Sequence, residues 1–397
     1  MATLGFTDND GVDLGNKFVT KEYVMDWYPD LVPNMLTPQL QTWGYNLFGQ
    51  LGNNTTVNKS SPVTTAAGGT NWKQVAVGYF RTAAIKTDGT LWTWGRNIAG
   101  ALGDDTSVNK SSPVTTISGG TNWKQVAAGF GHNLAIKTDG TLWTWGNNGN
   151  GQLGDNTTVN KSSPVTTIAG GTNWKQVACG YYQTAAVKTD GTLWTWGYDF
   201  YGALGDNTTV NKSSPVTTAG GGTNWKQVAC GRHYTTAIKT DGTLWTWGTN
   251  LYGQLGDNTT VNKSSPVTTI TGGNNWKQVS CGYFHTAAVK TDGTLWTWGY
   301  NNSGQLGDNT TVSYSSPVTT ITGGTNWKQV AGGYYHTASV KTDGTLWTWG
   351  YGSSGRLGDN TTVNKSSPVT TAGGGTNWKQ VACGYHHTAA ISESEGW

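Results

Sequence analysis

The chain has 397 residues, of which only 12% are charged, and its formal net charge is +3. This sparse and nearly balanced charge excludes the strongly basic surface that is typical of nucleic-acid-binding proteins. No stretch reaches the roughly 18 apolar residues of a transmembrane helix, and the first residues lack the basic and apolar segments of a secretion signal. We therefore expect no nucleic-acid partner and no insertion into a membrane.

The N-terminal segment, residues 1–37, matches no other part of the chain. Four of its side chains would share one face of a short helix that ends before Pro29: Tyr23, Val24, Trp27 and Tyr28. This segment either packs against the rest of the protein or anchors it in a larger assembly. We treat residues 1–37 as an N-terminal extension and these four side chains as its candidate assembly anchor.

After this extension the chain repeats itself. The motif Leu-x-Thr-Trp-Gly occurs seven times, with its glycines at Gly44, Gly95, Gly146, Gly197, Gly248, Gly299 and Gly350. Successive glycines are 51 positions apart (95 − 44). A fixed period of this length is typical of solenoids and propellers.

One repeat contains several short strands. Residues 122–127 alternate polar and apolar side chains, which predicts a half-buried strand. Residues 134–137 predict a second strand, and Asp139-Gly140 favours a hairpin turn to a third strand at 142–145. Three or four strands per unit, in seven units, predict an all-β, seven-bladed β-propeller whose blades bury their faces against one another.

The two ends of the repeat region complement each other. Residues 42–44 have the sequence of a return strand with no hairpin before it, whereas residues 388–391 supply a strand with no hairpin after it. We expect the strand near the N-terminus to complete the C-terminal blade, which leaves no free sheet edge. The predicted propeller domain is 38–397.

The repeat also carries motifs of a known family. Trp-Gly at 145–146 is followed by Gly-Gln-Leu-Gly at 151–154, and Cys281-Gly282 is followed by His-Thr at 285–286. This pattern, which extends over residues 40–392, resembles the RCC1 repeat family, named for the regulator of chromosome condensation. The resemblance implies a seven-bladed propeller.

The resemblance also bears on the histidines and on function. Four histidines match the recurrent family histidine, for which it implies a hydrogen bond to the neighbouring blade: His132, His285, His336 and His387. The other interpretation is a ring of histidines that binds a metal or titrates together. The family's nuclear exchange factor acts through a loop inserted into its blades, whereas no interval here contains an insertion. The nearly identical repeats favour a phage or bacterial member.

Cysteines and carboxylates give no sign of an active site. Four cysteines share one repeat position with Val77, Ala128 and Gly332, which is typical of a small buried slot: Cys179, Cys230, Cys281 and Cys383. Aspartates recur identically around the ring, whereas an active site is normally unique to one place. We therefore expect no enzyme activity, no cofactor and no metal.

Two short windows vary among the repeats, whereas the Asn-Thr-Thr-Val-Asn-Lys loop hardly changes. The first window follows the Trp-Gly motif (residues 45–48 in the first copy), and the second precedes the second strand of each blade (residues 79–81). Their Tyr, Phe, Arg and His content resembles that of antibody paratopes, and the alternative explanation is drift at unconstrained loop tips. The candidate binding residues are Tyr45, Phe48, Arg81, Arg96, His132, Tyr198, Phe200, Tyr201, Arg232, His233, Tyr234, Tyr252, Tyr283, Phe284, His285, Tyr300, Tyr335, His336, Tyr351, His386 and His387.

These features favour a non-enzymatic recognition protein whose variable side chains bind a host-surface protein or glycan. The short extension suggests a component of a virus particle, associated with a tail fibre and attached to other virion proteins through residues 1–37. One alternative is a structural decoration or joining protein of the virion. Another is a soluble protein-binding regulator, cytoplasmic or extracellular, that acts as an inhibitor or resembles an exchange factor.

Overall fold

The computed structural model describes residues 38–66 and 71–392. They form seven four-stranded antiparallel sheets, which are the blades of a β-propeller. Two short 3₁₀ turns, Ile98–Gly100 and Ser353–Gly355, are the helical elements of the described residues, so none of these helices could cross a bilayer. The predicted fold class is confirmed, whereas the predicted extension and its candidate anchor residues Tyr23, Val24, Trp27 and Tyr28 lie outside the described residues.

The strands are numbered in chain order. The first strands of the described residues are β1 (Gln39–Gly44) and β2 (Lys59–Thr64). Blade 1 contains β3 (Trp72–Val77), β4 (Arg81–Lys86), β5 (Leu91–Gly95) and β6 (Lys110–Thr115). Blade 2 contains β7 (Trp123–Ala128), β8 (His132–Lys137), β9 (Leu142–Gly146) and β10 (Lys161–Thr166). Blade 3 contains β11 (Trp174–Cys179), β12 (Gln183–Lys188), β13 (Leu193–Gly197) and β14 (Lys212–Thr217).

The remaining blades follow the same plan. Blade 4 contains β15 (Trp225–Cys230), β16 (Tyr234–Lys239), β17 (Leu244–Gly248) and β18 (Lys263–Thr268). Blade 5 contains β19 (Trp276–Cys281), β20 (His285–Lys290), β21 (Leu295–Gly299) and β22 (Tyr314–Thr319). Blade 6 contains β23 (Trp327–Gly332), β24 (His336–Lys341), β25 (Leu346–Gly350) and β26 (Lys365–Thr370), and the chain ends its last sheet with β27 (Trp378–Cys383) and β28 (His387–Ser392).

Blade 7 is assembled from both ends of the repeat region. Its strand order is β2-β1-β28-β27. β1 pairs with β28 along its whole length, from Gln39 opposite Ser392 to Gly44 opposite His387. This confirms the predicted closure of the ring.

The predicted hairpin joins the second and third strands of each blade. In blade 2, the Asp139 carboxylate accepts hydrogen bonds from the backbone N–H and the hydroxyl of Thr141, at 2.9 and 2.7 Å. Gly140 has φ +81°, a conformation that side-chain-bearing residues rarely adopt. These turns lie at the opposite end of the blade from the variable windows, because one window precedes the second strand and the other follows the third.

The core lies between blades. Trp72, Ala84 and Trp94 of blade 1 pack against Leu40 and Ile391 of blade 7. Burial of an aromatic side chain stabilises a fold by several kcal/mol before the ordering entropy is counted (about 25 cal/mol per Å²). Each blade repeats this contact with the blade before it, so the blades stabilise one another around the ring.

Two conserved hydrogen bonds of the repeat also join neighbouring blades. The Trp94 indole donates to the Gln50 carbonyl in the preceding blade at 2.9 Å. A Cβ on Gly52 would lie 2.5 Å from Trp94 Nε1, so the Gly-Gln-Leu-Gly motif needs glycine there. Near the axis, the Gln74 side chain bonds both the N–H and the C=O of Val126 in the next blade, at 2.9 and 3.1 Å. The constant Trp-Lys-Gln-Val motif is the sequence signal for this second bond, which the sequence interpretation missed.

Candidate functional site

Both variable windows open on one face of the propeller, which we call the variable face. In blade 1, the N–H of Arg96 in the first window donates to the C=O of Phe80 in the second window at 2.9 Å. Tyr45 and His386 make the same bond in blade 7 at 3.0 Å. The two windows of each blade are therefore held side by side as one surface.

The third residue of the second window is buried in every blade, and we call these seven residues the latch: Arg81, His132, Gln183, Tyr234, His285, His336 and His387. Each latch side chain reaches the next blade. His285 Nε2 lies 2.9 Å from the Thr337 hydroxyl, and a Cβ on Gly282 would lie 2.1 Å from the His285 ring, so the glycine makes room for it.

The other three latch residues use different chemistry for the same contact. Arg81 donates to the carbonyls of Gly129, Phe130 and His132 at 2.8–2.9 Å. Gln183 donates to two carbonyls of blade 4. Tyr234 donates to the Gly282 and His285 carbonyls of blade 5. All seven latch side chains therefore donate hydrogen bonds to the next blade, the histidines to a threonine hydroxyl and the other three to backbone carbonyls.

Six latch residues were expected to bind a partner, and their position between blades shows that they do not. Their side chains lie between two blades and are inaccessible to a partner: Arg81, His132, Tyr234, His285, His336 and His387. The hydrogen bonds that the family resemblance implies for the four latch histidines are present, with Nε2 to threonine hydroxyl distances of 2.8–3.0 Å.

The latch histidines are neutral for a structural reason. The Thr337 hydroxyl donates its proton to the Gln305 carbonyl at 2.8 Å, so it accepts from His285 Nε2. Nδ1 is then unprotonated, and it is buried without a hydrogen-bond partner. Burial lowers the pKa of His285 to about 3. A ring of histidines that titrates together near neutral pH is therefore incorrect for the latch, and the described residues contain no group of three or more His, Cys, Asp or Glu placed to hold a metal.

The second residue of the first window is also structural. Asn250 is fully buried, and its Nδ2 donates to the Asp257 carboxylate at 3.0 Å and to the carbonyls of Thr259 and Val261 at 3.0 and 3.3 Å. Its Oδ1 accepts the N–H of Leu255 at 3.0 Å. This asparagine holds the whole Asn-Thr-Thr loop in place.

Blade 3 has an aspartate at this position. Asp199 Oδ1 accepts the Leu204 N–H at 2.7 Å, and Oδ2 lies 3.5 Å from the Thr208 hydroxyl, which is also bonded to Asp206. Burial, and then the negative charge of Asp206, raises the pKa of Asp199 to about 7. The carboxyl group takes the place of an amide donor, and it can donate only when it is protonated.

The first residues of the second windows meet over the propeller axis, and we call them the inner ring: Tyr79, Phe130, Tyr181, Arg232, Tyr283, Tyr334 and Tyr385. Neighbouring aromatic rings have centroids 3.5–4.3 Å apart. Tyr283 and Tyr385, two blades apart, still approach to 5.3 Å. The candidate list omitted five of these residues, although their shared repeat position, aromatic in six copies, was a usable signal.

Three aromatic clusters surround the inner ring. Cluster 1 contains Tyr45, Phe48, Phe80 and His386; cluster 2 contains Tyr182, Tyr198, Phe200, Tyr201 and His233; cluster 3 contains Tyr252, Phe284, Tyr300 and Tyr335. Phe200 is 63% exposed, the largest exposure among these rings. Between clusters 1 and 2, and outside the inner ring, blade 2 presents Gly131 and the polar segment 147–150, so the variable face lacks sevenfold symmetry.

Burial within the clusters corrects two more candidates. His233 and Phe284 are only 8% and 9% exposed. His233 packs against Tyr198 at 4.8 Å, and Phe284 packs against Tyr252 at 5.0 Å. These two support the exposed rings. The candidates that stay at least partly exposed are Tyr45, Phe48, Arg96, Tyr198, Phe200, Tyr201, Arg232, Tyr252, Tyr283, Tyr300, Tyr335, Tyr351 and His386.

Arg356 is a further residue that the candidate list missed. It replaces the Gln or Ala of the Gly-Gln-Leu-Gly motif, and this departure from the repeat was its signal. It is 2% exposed, donates to the Tyr385 carbonyl at 2.9 Å and stacks under Tyr351 at 4.6 Å. It therefore holds the variable face of blade 7 in place.

Comparisons with known proteins agree with this architecture. The profile of the RCC1-like domain matches residues 36–320 and 120–396. The ultraviolet-B receptor UVR8 of Arabidopsis thaliana is 34% identical over 334 residues, which are 82% of this chain and 76% of the receptor. The E3 ubiquitin-protein ligase HERC2 of Homo sapiens is 30% identical over 364 residues, which are 88% of this chain but only 7% of the ligase.

Solved structures share the fold at lower identity. Human WBSCR16 superposes with a TM-score of 0.79 at 22% identity, covering 90% of this chain and 99% of that protein. Prp20p of Saccharomyces cerevisiae, whose structure was described with its binding to Gsp1p and histones, gives 0.77 at 20% identity and covers 92% and 95%. The match to the domain profile and the identity to the receptor lead to one conclusion: this chain belongs to the RCC1-like family of seven-bladed propellers.

Proposed function

We propose that the chain is a non-enzymatic recognition protein that binds a partner protein through the aromatic clusters of the variable face. The observation that carries the proposal is the density of partly exposed aromatic rings around the inner ring. Tyrosine and other aromatic side chains are enriched among the residues that dominate protein interfaces.

The rings are held in place before any partner arrives. In cluster 3, Tyr300 lies between Tyr252 at 4.7 Å and Tyr335 at 5.1 Å. In cluster 1, Phe80 stacks on His386 at 4.8 Å with an interplanar angle of 5°. Side chains that are already ordered lose little conformational entropy on binding, so more of their contact energy appears as affinity.

The uneven distribution of the clusters favours a single asymmetric partner. Blade 2 has no aromatic side chain in its first window, where it presents Asn147, Gly149 and Asn150. A partner that covers clusters 2 and 3 therefore meets a different surface on each blade and binds in one orientation. Among the relatives, Prp20p is described with protein ligands, which favours a protein over a glycan as the partner class.

The virus-particle location expected from the sequence has no observation in its favour among the described residues or the relatives. The proposal therefore uses the propeller alone and assigns no role to residues 1–37. The same holds for the host-surface glycan. Of the functions considered from sequence, the protein-binding regulator fits the family best.

The test replaces cluster 2 by a loop that this fold already contains. Tyr198→Asn, Phe200→Gly and Tyr201→Asn install the residues found at the same repeat positions in segment 147–150. Proteins captured from the native source on the immobilised chain are identified, and the Kd of the captured protein is measured by calorimetry. We expect the triple variant to raise the Kd at least about 30-fold, as the loss of an interface hot spot does.

The matched control replaces apolar side chains of similar exposure outside the windows. It carries serine at four isoleucines that are 57–62% exposed: Ile117, Ile168, Ile270 and Ile321. The control should keep the Kd within about twofold, because scattered surface side chains contribute little to specific binding. Equal Kd values for the wild type, the triple variant and the control would remove the variable face from the interface.

A further inference from the structure

The lysines of the propeller lie outside the variable windows. The arginines of the chain all lie in or beside these windows: Arg81, Arg96, Arg232 and Arg356. Two of them have an internal role. Arg81 gives its donors to the next blade, and Arg356 donates to the carbonyls of Ser353 and Tyr385. The side chains of Arg96 and Arg232 make no hydrogen bond and no ion pair within residues 38–66 and 71–392.

The two unpaired guanidinium groups are stacked on aromatic rings. Arg96 Cζ lies 4.9 Å from the Phe48 centroid and 5.5 Å from the Phe80 centroid. Arg232 replaces one tyrosine of the inner ring, and its Cζ lies 4.5 Å from Tyr283. Rings fix the plane of a guanidinium and leave its N–H edge free, which is the edge that binds carboxylates in a bidentate manner.

Neither guanidinium group has a carboxylate partner among the described residues. The exposed Asp105 of a neighbouring loop accepts instead from the hydroxyls of Ser162 and Ser163, at 2.8 and 3.0 Å. Asp199 is the acidic residue of the windows, and it is fully buried and bonded to its own loop. The loop aspartates of five blades form ion pairs with the lysine six positions later, at 3.3–3.7 Å. Arg232 Nε is buried without a partner, so a carboxylate from outside would bind the two terminal amino groups of this guanidinium.

We infer that the partner presents an acidic segment, whose carboxylates bind Arg96 and Arg232 while its other side chains contact the aromatic clusters. This inference rests on the proposed function, because it names the chemistry of the partner that the variable face recognises. The stacked position strengthens the contact, since the rings exclude water from one side of each ion pair. An acidic segment also complements the charges of Arg96 and Arg232, which speeds association at low ionic strength.

The test uses two peptide probes of equal length, fluorescein-labelled Ac-(Glu)8-NH2 and Ac-(Gln)8-NH2. Binding to the full chain is followed by fluorescence anisotropy at low salt, where surface charge is least screened. We expect the glutamate peptide to bind, the glutamine peptide not to bind, and the affinity for the glutamate peptide to fall with added salt. Absence of binding by the glutamate peptide overturns the inference.

The decisive variant is Arg96→Tyr with Arg232→Tyr. Tyrosine stands at both repeat positions elsewhere in the chain, for example Tyr45 and Tyr283, so the variant keeps the fold and the rings while it removes both charges. Its Kd for the glutamate peptide should rise about tenfold or more, as expected for the loss of charge-assisted hydrogen bonds.

A variant with the same change in net charge is the control. Lys124→Gln with Lys175→Gln removes two exposed lysines from first strands, outside the windows, and should leave the Kd within about twofold. An equal loss in this control would mean that the probe senses only net charge, and the inference would fall. A captured protein that is lost with the cluster 2 variant but kept by Arg96→Tyr with Arg232→Tyr would overturn the acidic segment and leave the proposed function standing.

Discussion

The Asn-Thr-Thr loops and the variable windows lie on the same face of the propeller, yet they use their side chains in opposite ways. In blade 4, Asn250 bonds to much of segment 257–262: the Asp257 carboxylate and the carbonyls of Thr259 and Val261 accept from its Nδ2, and Asn262 accepts its N–H at 2.8 Å. The side chain of the neighbouring Leu251 is 58% exposed. The hydrogen-bonded side chains of this loop are constant and the exposed Leu251 position varies, whereas Val261 is constant although its side chain is 61% exposed.

This comparison changes the meaning of the sequence variation. Asp257, Thr259 and Asn262 stay constant because their side chains form hydrogen bonds inside the loop, so these positions are no measure of how fast an unconstrained loop drifts. The latch shows the converse, because Arg81, Gln183, Tyr234 and His285 differ and yet all have the same internal role. The case for a binding role therefore rests on the exposed aromatic clusters and the unpaired arginines.

The largest expected effect concerns the buried latch histidines, and it should appear in acid unfolding. Burial lowers the pKa of His132, His285 and His387 to about 3 and that of His336 well below its ordinary value. The unfolded chain, with histidine pKa near 6.5, binds more protons below that pH, so the free energy of unfolding falls as pH drops from about 6.5 toward 3. The slope rises from half of its full value at pH 6.5 toward about 1.4 kcal/mol per pH unit for each histidine, so the four latch histidines account for roughly 6–7 kcal/mol between pH 6.5 and 5.

The measurement is urea unfolding at several pH values. His285→Gln supplies the control, because Gln183 fills the same position with bonds to two carbonyls of the next blade. In this variant, unfolding should take up about one proton fewer near pH 5, so the free energy of unfolding should depend less steeply on pH. A stability that is equal at pH 7 and pH 5 would contradict the buried, neutral latch.

A smaller effect is expected from the loop centre. Asn250→Ala removes the donor to Asp257, Thr259 and Val261 and the acceptor for Leu255, which leaves buried polar groups unpaired. We expect it to lower the free energy of unfolding by about 3–4 kcal/mol. The adjacent Leu251→Ala, at an exposed position of the same loop, should change it by less than about 0.5 kcal/mol. Equal effects of the two changes in urea unfolding would break the comparison.

The smallest expected effect concerns the exceptional loop of blade 3. The pKa of Asp199 is raised to about 7 by burial and then by Asp206, so its folded pKa exceeds the unfolded value. Protonation of Asp199 in the folded chain therefore contributes to stability fully below about pH 4, and this contribution is lost as pH rises through 7. Asp199→Asn, which restores the usual amide, should stabilise the chain by about 2–3 kcal/mol at pH 8 and by much less at pH 4. A gain that is the same at both pH values would show that Asp199 does not titrate in the fold.

Much of the fold could be predicted from sequence because its rules are local. The alternation in 122–127 and the Asp139-Gly140 turn each depend on a few adjacent residues. The 51-residue period then multiplies them, and the complementary fragments at 42–44 and 388–391 require a closed ring. These are properties of spacing, which the sequence displays directly.

The site was harder to predict because exposure is not local. Arg81 and Arg96 are both variable arginines, but Arg81 lies between blades and Arg96 lies on the surface, and only the packing of neighbouring blades separates them. The inner ring was missed for a related reason. Its tyrosines are 51 residues apart in sequence, and only the closed ring brings Tyr79 and Tyr385 to 4.0 Å.

The pairing of β1 with β28 also has a consequence for biosynthesis. A ribosome completes Gly44 and reaches His387 only 343 residues later (387 − 44), which takes roughly 20–70 s at ordinary elongation rates. Throughout that time β1 has one edge open to other nascent chains, and exposed strand edges are sites of aggregation. The seam that leaves the finished ring without a free edge is therefore the last part to form, and the yield of folded protein depends on how well β1 is shielded until β28 emerges.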